Sequence, residues 1–327
     1  MTTYILIGFI LLLAVAGIVT VTMAYRKRNR RRRILLEDAL KHLYHSEYAG
    51  LTSTLESLAG SMGQPADVAA GVVEELTRRR LVNLRGAEFA LTEDGREYAL
   101  KVIRVHRLWE RHLSDETTVH ELDWHKDAER QEHILSEDEV RSLSKRLGHP
   151  VYDPHGDPIP SPAGTVPTKQ GSSIETFRDG EIVRIVHVED EPGIVYAELV
   201  AAGVYAGMTI RVCRRTDEKI VIEREGEEIE LSLLAGVNLL AKREGRQAYT
   251  GQRKTLASLV PGSQAVVTEL SPACRGLQRR RLMDLGLVPG TPVAALMRSP
   301  VGVPTAYSIR GASIALRKQQ AELVFVE

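Results

Sequence analysis

Cysteine is nearly missing from this chain: its 327 residues carry two, Cys213 and Cys274. They stand far apart with no CxxC spacing, which excludes a disulfide framework and a zinc knuckle and fits a reducing compartment. Acid is missing altogether from residues 1–33, which hold Arg26, Lys27, Arg28, Arg30, Arg31, Arg32 and Arg33. The formal net charge of zero therefore hides an asymmetry. Taking those seven from the 43 basic residues leaves 36 against 43 acids, so the remainder carries about −7. A nucleophile–base pairing and a phosphate loop are also absent, which leaves an enzymatic role without support.

What is present begins with an apolar run. Tyr4 to Tyr25 carries no charge and is softened only by Gly8, Gly17, Thr20 and Thr22. As a helix it would span about 33 Å, enough for a hydrocarbon core of about 30 Å. A cleaved signal peptide carries its positive charges before the apolar run, whereas here they follow it. The sequence predicts a transmembrane anchor over 1–25 and a basic juxtamembrane segment over 26–33, with anionic lipid as the simplest partner. By the positive-inside rule everything after Arg26 is cytoplasmic, so the expected location is the inner (cytoplasmic) membrane, crossed once through residues 4–25.

Residues 34–104 read as a winged helix. Helices are expected over Ile34–Tyr44, Leu51–Met62 and Ala66–Arg80, the third opened by Pro65. A hairpin of Leu81-Val82-Asn83-Leu84 and Phe89-Ala90-Leu91-Thr92 follows, then another helix. The third helix is the one such a domain lays in the major groove. Its reading face is poor: Gln64 is followed by Ala66, Asp67, Ala69, Ala70 and Gly71, and an Asp there meets phosphate with the wrong sign. Arg78, Arg79 and Arg80 could grip phosphates or merely complement the helix dipole. Sequence-specific DNA binding and a retained scaffold stand level.

The centre of the chain is rich in histidine and glutamate. On a helix, offsets of 0, 4, 7 and 8 place His125, Glu129, Glu132 and His133 on one face. His106 and Glu110 form another i, i+4 pair. Two helices packing these faces would gather three imidazoles and three carboxylates, a set suited to a first-row divalent ion. The alternative is the solvated polar face of an amphipathic helix. Six such side chains at helical spacing on adjacent segments favour metal.

These residues, with Pro154-His155-Gly156-Asp157-Pro158-Ile159-Pro160, resemble the iron- and manganese-dependent repressors of the DtxR/MntR family over roughly residues 34–245. The resemblance implies a winged helix followed by a helical metal-binding and dimerisation domain, here 105–160, with operator DNA bound as a homodimer. It also implies that His106, Glu110, Glu129, Glu132, His133 and His125 occupy ligand or ligand-neighbour positions, and that Asp38 is the ligand from the first helix. Glu129 and Asp38 stand where the iron-type members carry Cys and Met, so the set is the harder N/O version, suited to Mn(II) or Fe(II). Lys41 replaces a Glu that the manganese regulators use for a second ion, which implies one filled position per subunit. Neutral imidazole ligands predict affinity that weakens below about pH 6.5.

A linker, 161–173, leads into two copies of one pattern. Ala202-Gly203-Val204-Tyr205-Ala206-Gly207-Met208-Thr209 is matched further along the chain by Leu285-Gly286-Leu287-Val288-Pro289-Gly290-Thr291-Pro292. Each copy later repeats one Gly-to-Leu spacing, from Gly226 to Leu231 and from Gly311 to Leu316. Short Val/Ile strands between Gly turns predict a compact antiparallel barrel in each. The first, 174–246, resembles the C-terminal SH3-like domain of the same repressors. Its Glu189-Asp190-Glu191 turn reads as solvated, with an extra metal carboxylate as the other reading. The second, 255–327, resembles the FeoA-type SH3-like domain of ferrous iron transport. Its Arg279-Arg280-Arg281 reads as a solvated face.

The expectation is thus a multidomain α+β chain: one transmembrane helix, a winged helix-turn-helix, a helical metal-binding/dimerisation domain and two small SH3-like β-barrels. Two functions fit it. One is a membrane-anchored Mn/Fe-dependent transcriptional regulator. The other is a metal-sensing adaptor whose winged helix binds no DNA and whose FeoA-like domain engages an iron transporter.

Overall fold

The computed structural model describes residues 2–86, 88–168, 170–224, 226–245, 254–299 and 304–327, without the side chains of residues 2–17, 85 and 277. The chain forms two compact units, Met1–Arg104 with Pro160–Thr165, and Val105–Ile159 with Val166–Glu327.

The first unit opens on α1, Thr2–Tyr48. The sequence predicted separate helices either side of the basic run. The structure joins them, because residues 18–49 contain no Gly or Pro that could interrupt the backbone ladder. Among the described residues no helix is long and apolar enough to cross a membrane. Most of the expected span, residues 4–17, lies outside the residues whose side chains are described.

Helix α2, Leu55–Met62, starts later than expected because Thr54, and neither Thr52 nor Ser53, supplies the cap, its hydroxyl accepting from the Ser57 N–H. Gly63 closes α2 in the left-handed region, and Pro65 opens α3, Ala66–Arg78. Strands β1, Val82–Arg85, and β2, Glu88–Leu91, pair as the wing, with Val82 opposite Leu91. Helix α4, Glu93–Glu116, follows. Leu40, Leu43, Leu58 and Leu76 are fully buried between these helices. Glu47 accepts the Leu91 N–H at 2.7 Å and Tyr98 Oη donates to Glu37 at 2.7 Å. Burial and the Glu37 carboxylate push the Tyr98 phenol up to about 12.

In the second unit the end of α4 is joined through a 3₁₀ turn, Glu121–Asp123, to α5, Trp124–Gln131, and then α6, Glu137–Arg146. Val105 and Leu108 pack with Val140, Leu143 and Ile159. A short β3, Ser172–Ser173, precedes β4, Ile182–Val188, α7, Gly193–Ala201, β5, Thr209–Arg215, β6, Lys219–Arg224, β7, Glu227–Ser232, α8, Leu233–Val237, and β8, Leu239–Arg243. Then come β9, Gln264–Leu270, α9, Gly276–Asp284, β10, Pro292–Arg298, β11, Thr305–Ile309, β12, Ala312–Leu316, α10, Lys318–Glu322, and β13, Val324–Val326.

The internal repeat is visible in the topology. One sheet runs β3-β8-β4-β5-β6-β7 and the other, read from its opposite edge, β13-β9-β10-β11-β12. In both, the first long strand is flanked by the last and the second. The β5/β6 bulge falls between Val212 and Arg214, and the β10/β11 bulge between Ala295 and Met297, the equivalent positions of the two copies. Each sheet buries its own core, Ile185, Ile210 and Leu231 in one, Val267, Tyr307 and Leu316 in the other.

Candidate metal centre

Helix α4 delivers His106 and Glu110 one turn apart, and Glu110 is the hub of what surrounds them. Its Oε1 lies 3.2 Å from His106 Nε2 and 3.7 Å from His125 Nδ1, and its Oε2 lies 3.7 Å from His155 Nδ1. Glu110 is 2% exposed, so the carboxylate sits away from water among three imidazoles. Donor atoms of His106, Glu110 and His125 all lie within 4.8 Å of one another, and so do those of Glu110, Asp153 and His155. Asp190 joins from the turn before α7: its Oδ2 is 3.0 Å from His125 Nδ1 and 4.0 Å from His155 Nδ1.

Some expected ligands stand elsewhere. Helix α5 ends at Gln131, so Glu132 caps it and His133 lies in the turn beyond. A single helical face does not carry all four residues. Glu132 reaches back to the other side of His106, with Oε2 2.5 Å from Nδ1, and His133 Nε2 lies 3.6 Å from Glu132 Oε1. Glu129 sits at the rim, its side chain 52% exposed and its Oε1 3.5 Å from His125 Nε2. The second unit therefore does not gather these groups around one point. His106, Glu110 and His125 form one set, Glu110 belongs to a second with Asp153 and His155, and Glu132 and His133 stand together outside both. Asp38 lies half-buried on α1 in the first unit.

Sequence reasoning missed His155 and Asp153 as members of the set and held Asp190 only as the second reading of its acidic turn. His155 and Asp153 belong to the quoted Pro154–Pro160 motif or adjoin it, yet at irregular spacing nothing marks them as facing α4. The acidic turn was expected to be solvated. Instead Asp190 points inward with its side chain 14% exposed, while Glu191 stays 72% exposed. Asp153 orders the loop, its Oδ1 accepting the N–H groups of His155 at 2.9 Å and Asp157 at 2.8 Å.

The electrostatics are those of a cation site. Burial works against charge on His125, but hydrogen bonding to Asp190, Glu110 and Glu129 outweighs it and pushes the imidazole up to about 12. Burial likewise opposes charge on His155, and Glu110 and Asp190 raise it to about 10. Burial pushes Asp190 upward, but its His125 bond and the His155 charge together hold it down to about 2. Glu110 is also held well below the usual carboxylate range, since the surrounding imidazoles overcome its burial. Burial and the Asp157 charge raise Asp153 to about 7. Buried carboxylates that keep imidazoles charged would stabilise a divalent ion in their place, and the N/O donor set suits a first-row metal.

A pH dependence follows. In the metal-free chain His125 and His155 hold protons at neutral pH, so an ion must displace them. Affinity should climb about tenfold per pH unit for each displaced proton, from neutrality up to about pH 9. This moves the expected window above the 6.5 of a free imidazole. The sign for stability is opposite: a raised folded-state pKa stabilises fully below about 6.5 and loses that contribution as pH rises through about 10. Metal titrations and metal-free melting curves at pH 6.5, 7.5 and 9 check both, and a flat affinity would remove His125 and His155 from the ligand set.

The winged-helix residues are placed as follows. Gln64 donates weakly to the Met62 carbonyl at 3.4 Å. Arg79 Nε lies 2.7 Å from buried Glu75 Oε1, Arg32 Nη2 2.8 Å from Glu75 Oε2, and Arg78 pairs with the same carboxylate. Arg80 falls past the end of α3 with φ 61°.

Residues 92–161 match the family described as the iron dependent repressor, metal binding and dimerisation domain, and residues 254–327 match the FeoA domain. The middle of this chain is thus similar to the metal-binding and dimerisation domain of such repressors. It is followed by β-sheet domains, the last of them similar to the FeoA domain. The chain is 36% identical over 125 residues to the "Iron-dependent repressor IdeR" of Mycobacterium tuberculosis, covering 38% of this chain and 54% of that protein. It thus spans about half the length of that curated relative. To the "Diphtheria toxin repressor" of Corynebacterium diphtheriae it is 27% identical over 209 residues, covering 60% of this chain and 91% of that one. A solved "Manganese-dependent transcriptional repressor complex with manganese" superposes with a TM-score of 0.59 at 27% identity, covering 64% of this chain and 100% of the other. These relatives are repressors by name.

Proposed function

We propose that this chain is a membrane-anchored, divalent-metal-dependent regulator that binds operator DNA as a homodimer, with Mn(II) or Fe(II) at the Glu110-centred cluster. The observation that carries the reading is that cluster: two imidazole–carboxylate sets joined through one buried glutamate, inside a domain whose relatives are metal-dependent repressors. One filled position per subunit stays the expectation drawn from Lys41, and the two sets that share Glu110 offer adjoining places for that ion. The anchor rests on the uncharged run from Tyr4 to Tyr25 with cations immediately after it, a pattern that supports the remaining domains lying in the cytoplasm at the inner membrane.

A second reading has an observation of its own. Arg78 and Arg79, the basic residues nearest the end of α3, are engaged by Glu75, and the first turn of that helix carries Asp67. A winged helix with its arginines so occupied suits an adaptor that binds no DNA and meets an iron transporter through its FeoA domain.

Genomic DNA capture on the full chain recovered from membranes, with and without Mn(II), separates the two. A palindrome enriched only with Mn(II) supports the regulator. Absence of enrichment at low salt, where phosphate contacts are strongest, sinks it and leaves the adaptor. A chain found only in the soluble fraction overturns the anchor.

A further inference from the structure

The FeoA domain is not tethered loosely to the metal-binding helices. Arg275, just before α9, pairs through Nη1 with Glu121 Oε1, and its side chain is only 16% exposed. The guanidinium lies over two rings, 5.5 Å from the Trp124 centroid and 5.7 Å from that of Tyr205. Trp124 opens α5 and Tyr205 belongs to the first sheet's domain, so one arginine clamps three domains together. The backbone is close as well. A Cβ on Gly276 would lie 2.8 Å from the Thr117 carbonyl, and Gly207 packs against Pro272.

Glu121 Oε1 has a second partner. Tyr196 Oη donates to it at 2.8 Å and stands 2.9 Å from His155 Nε2, with the two rings edge to face at 5.2 Å. His155 Nδ1 in turn faces Glu110 and Asp190 at 3.7 and 4.0 Å. A continuous line therefore runs from the metal cluster through His155, Tyr196 and Glu121 to Arg275. It is tight at three joints and slack at the one facing the carboxylates, where the separations exceed hydrogen-bond length.

We propose that Tyr196, Glu121 and Arg275 form a latch through which occupancy of the Glu110–His155 cluster tightens the docking of the FeoA domain. The inference rests on the cation reading given above. His155 ligating through Nδ1 would be fixed on its slack side, which holds its Nε2–H, present with or without the ion, steadily on Tyr196. Tyr196 then commits its own proton to Glu121, whose carboxylate is held for Arg275. Coupling is reciprocal, so loosening the latch also weakens the cluster's hold on its ion.

The test is hydrogen exchange by mass spectrometry on the full chain, with Mn(II) bound per chain measured on the same samples. Mn(II) should slow exchange over residues 271–284 by about fivefold. Tyr196→Phe keeps the ring against His155 and removes only the hydroxyl. It should abolish that slowing and weaken Mn(II) binding about fivefold, although Tyr196 is no ligand. Arg275→Gln should leave residues 271–284 fast-exchanging with or without Mn(II). A wild-type chain that binds Mn(II) with unchanged exchange, or a Tyr196→Phe chain that keeps the full slowing, overturns the latch alone. A chain that binds no Mn(II) overturns the cation reading and the latch with it.

Discussion

Glu110→Gln is expected to lower Mn(II) affinity by more than about 100-fold, a loss above about 2.7 kcal/mol. Both Glu110 oxygens face imidazoles, and the residue belongs to both donor sets, so one substitution removes an anionic donor from each. The amide also takes away the negative charge that keeps His155 and His125 protonated in the metal-free chain. Those imidazoles then release protons nearer to neutrality, which spares the metal-free fold a cluster of unpaired buried charge. Glu129→Gln supplies the contrast. Its half-exposed carboxylate touches only the rim in the second unit, and a few-fold loss is expected. Calorimetric titration of both variants decides between a cluster centred on Glu110 and one centred on the α5 face. Equal losses would defeat the first arrangement.

The second large effect concerns backbone. Gly156 adopts φ 93°, and a Cβ there would stand 2.0 Å from the Val186 carbonyl oxygen and 3.0 Å from His187 Cα. The obstruction is main chain of β4, which cannot swing aside. The neighbouring His155 carbonyl accepts the Val188 N–H at 2.8 Å, so the loop is stitched to that strand. Gly156→Ala should cost about 4 kcal/mol or more, a fall in melting temperature of roughly 10 °C. It should also carry His155 out of the cluster and weaken metal binding. Gly148→Ala is the control, since Gly148 shares a positive φ but has nothing within 4 Å of the added atom. There only backbone strain remains, about 1 kcal/mol. A Gly156→Ala chain that melts with wild type would show that the loop yields more readily than the strand contact implies.

These expectations show where sequence reading held its ground and where it stopped. His106 and Glu110 were legible because a helix repeats every 3.6 residues, so an i, i+4 pair must share a face wherever the helix goes. The duplicated β pattern was legible because strands leave a periodic mark and the Gly turns between them recur. The strand orders and the bulges at equivalent positions of the two copies bear the same imprint. On α5 the expected helix stops early, although Glu132 and His133 still belong to one donor set. Four residues at 0, 4, 7 and 8 share a face only if the helix persists, and it ends at Gln131. Likewise α1 ran through an expected break, since a change from apolar to basic residues does not stop a helix.

The sequence by itself determined the local inventory: which residues bear ligand atoms, which faces are apolar, which segment repeats. Only the tertiary structure decided that His155 turns towards Glu110 and that Asp190 turns towards His125 and His155, both residues far beyond Glu110 along the chain. It also turned the acidic 189–191 stretch inward at one residue and set Arg275 against Glu121. Periodicity encodes what lies beside what within one element. The meeting of loops is settled by packing between elements, where burial makes a charge costly unless another chain segment arrives to pair with it.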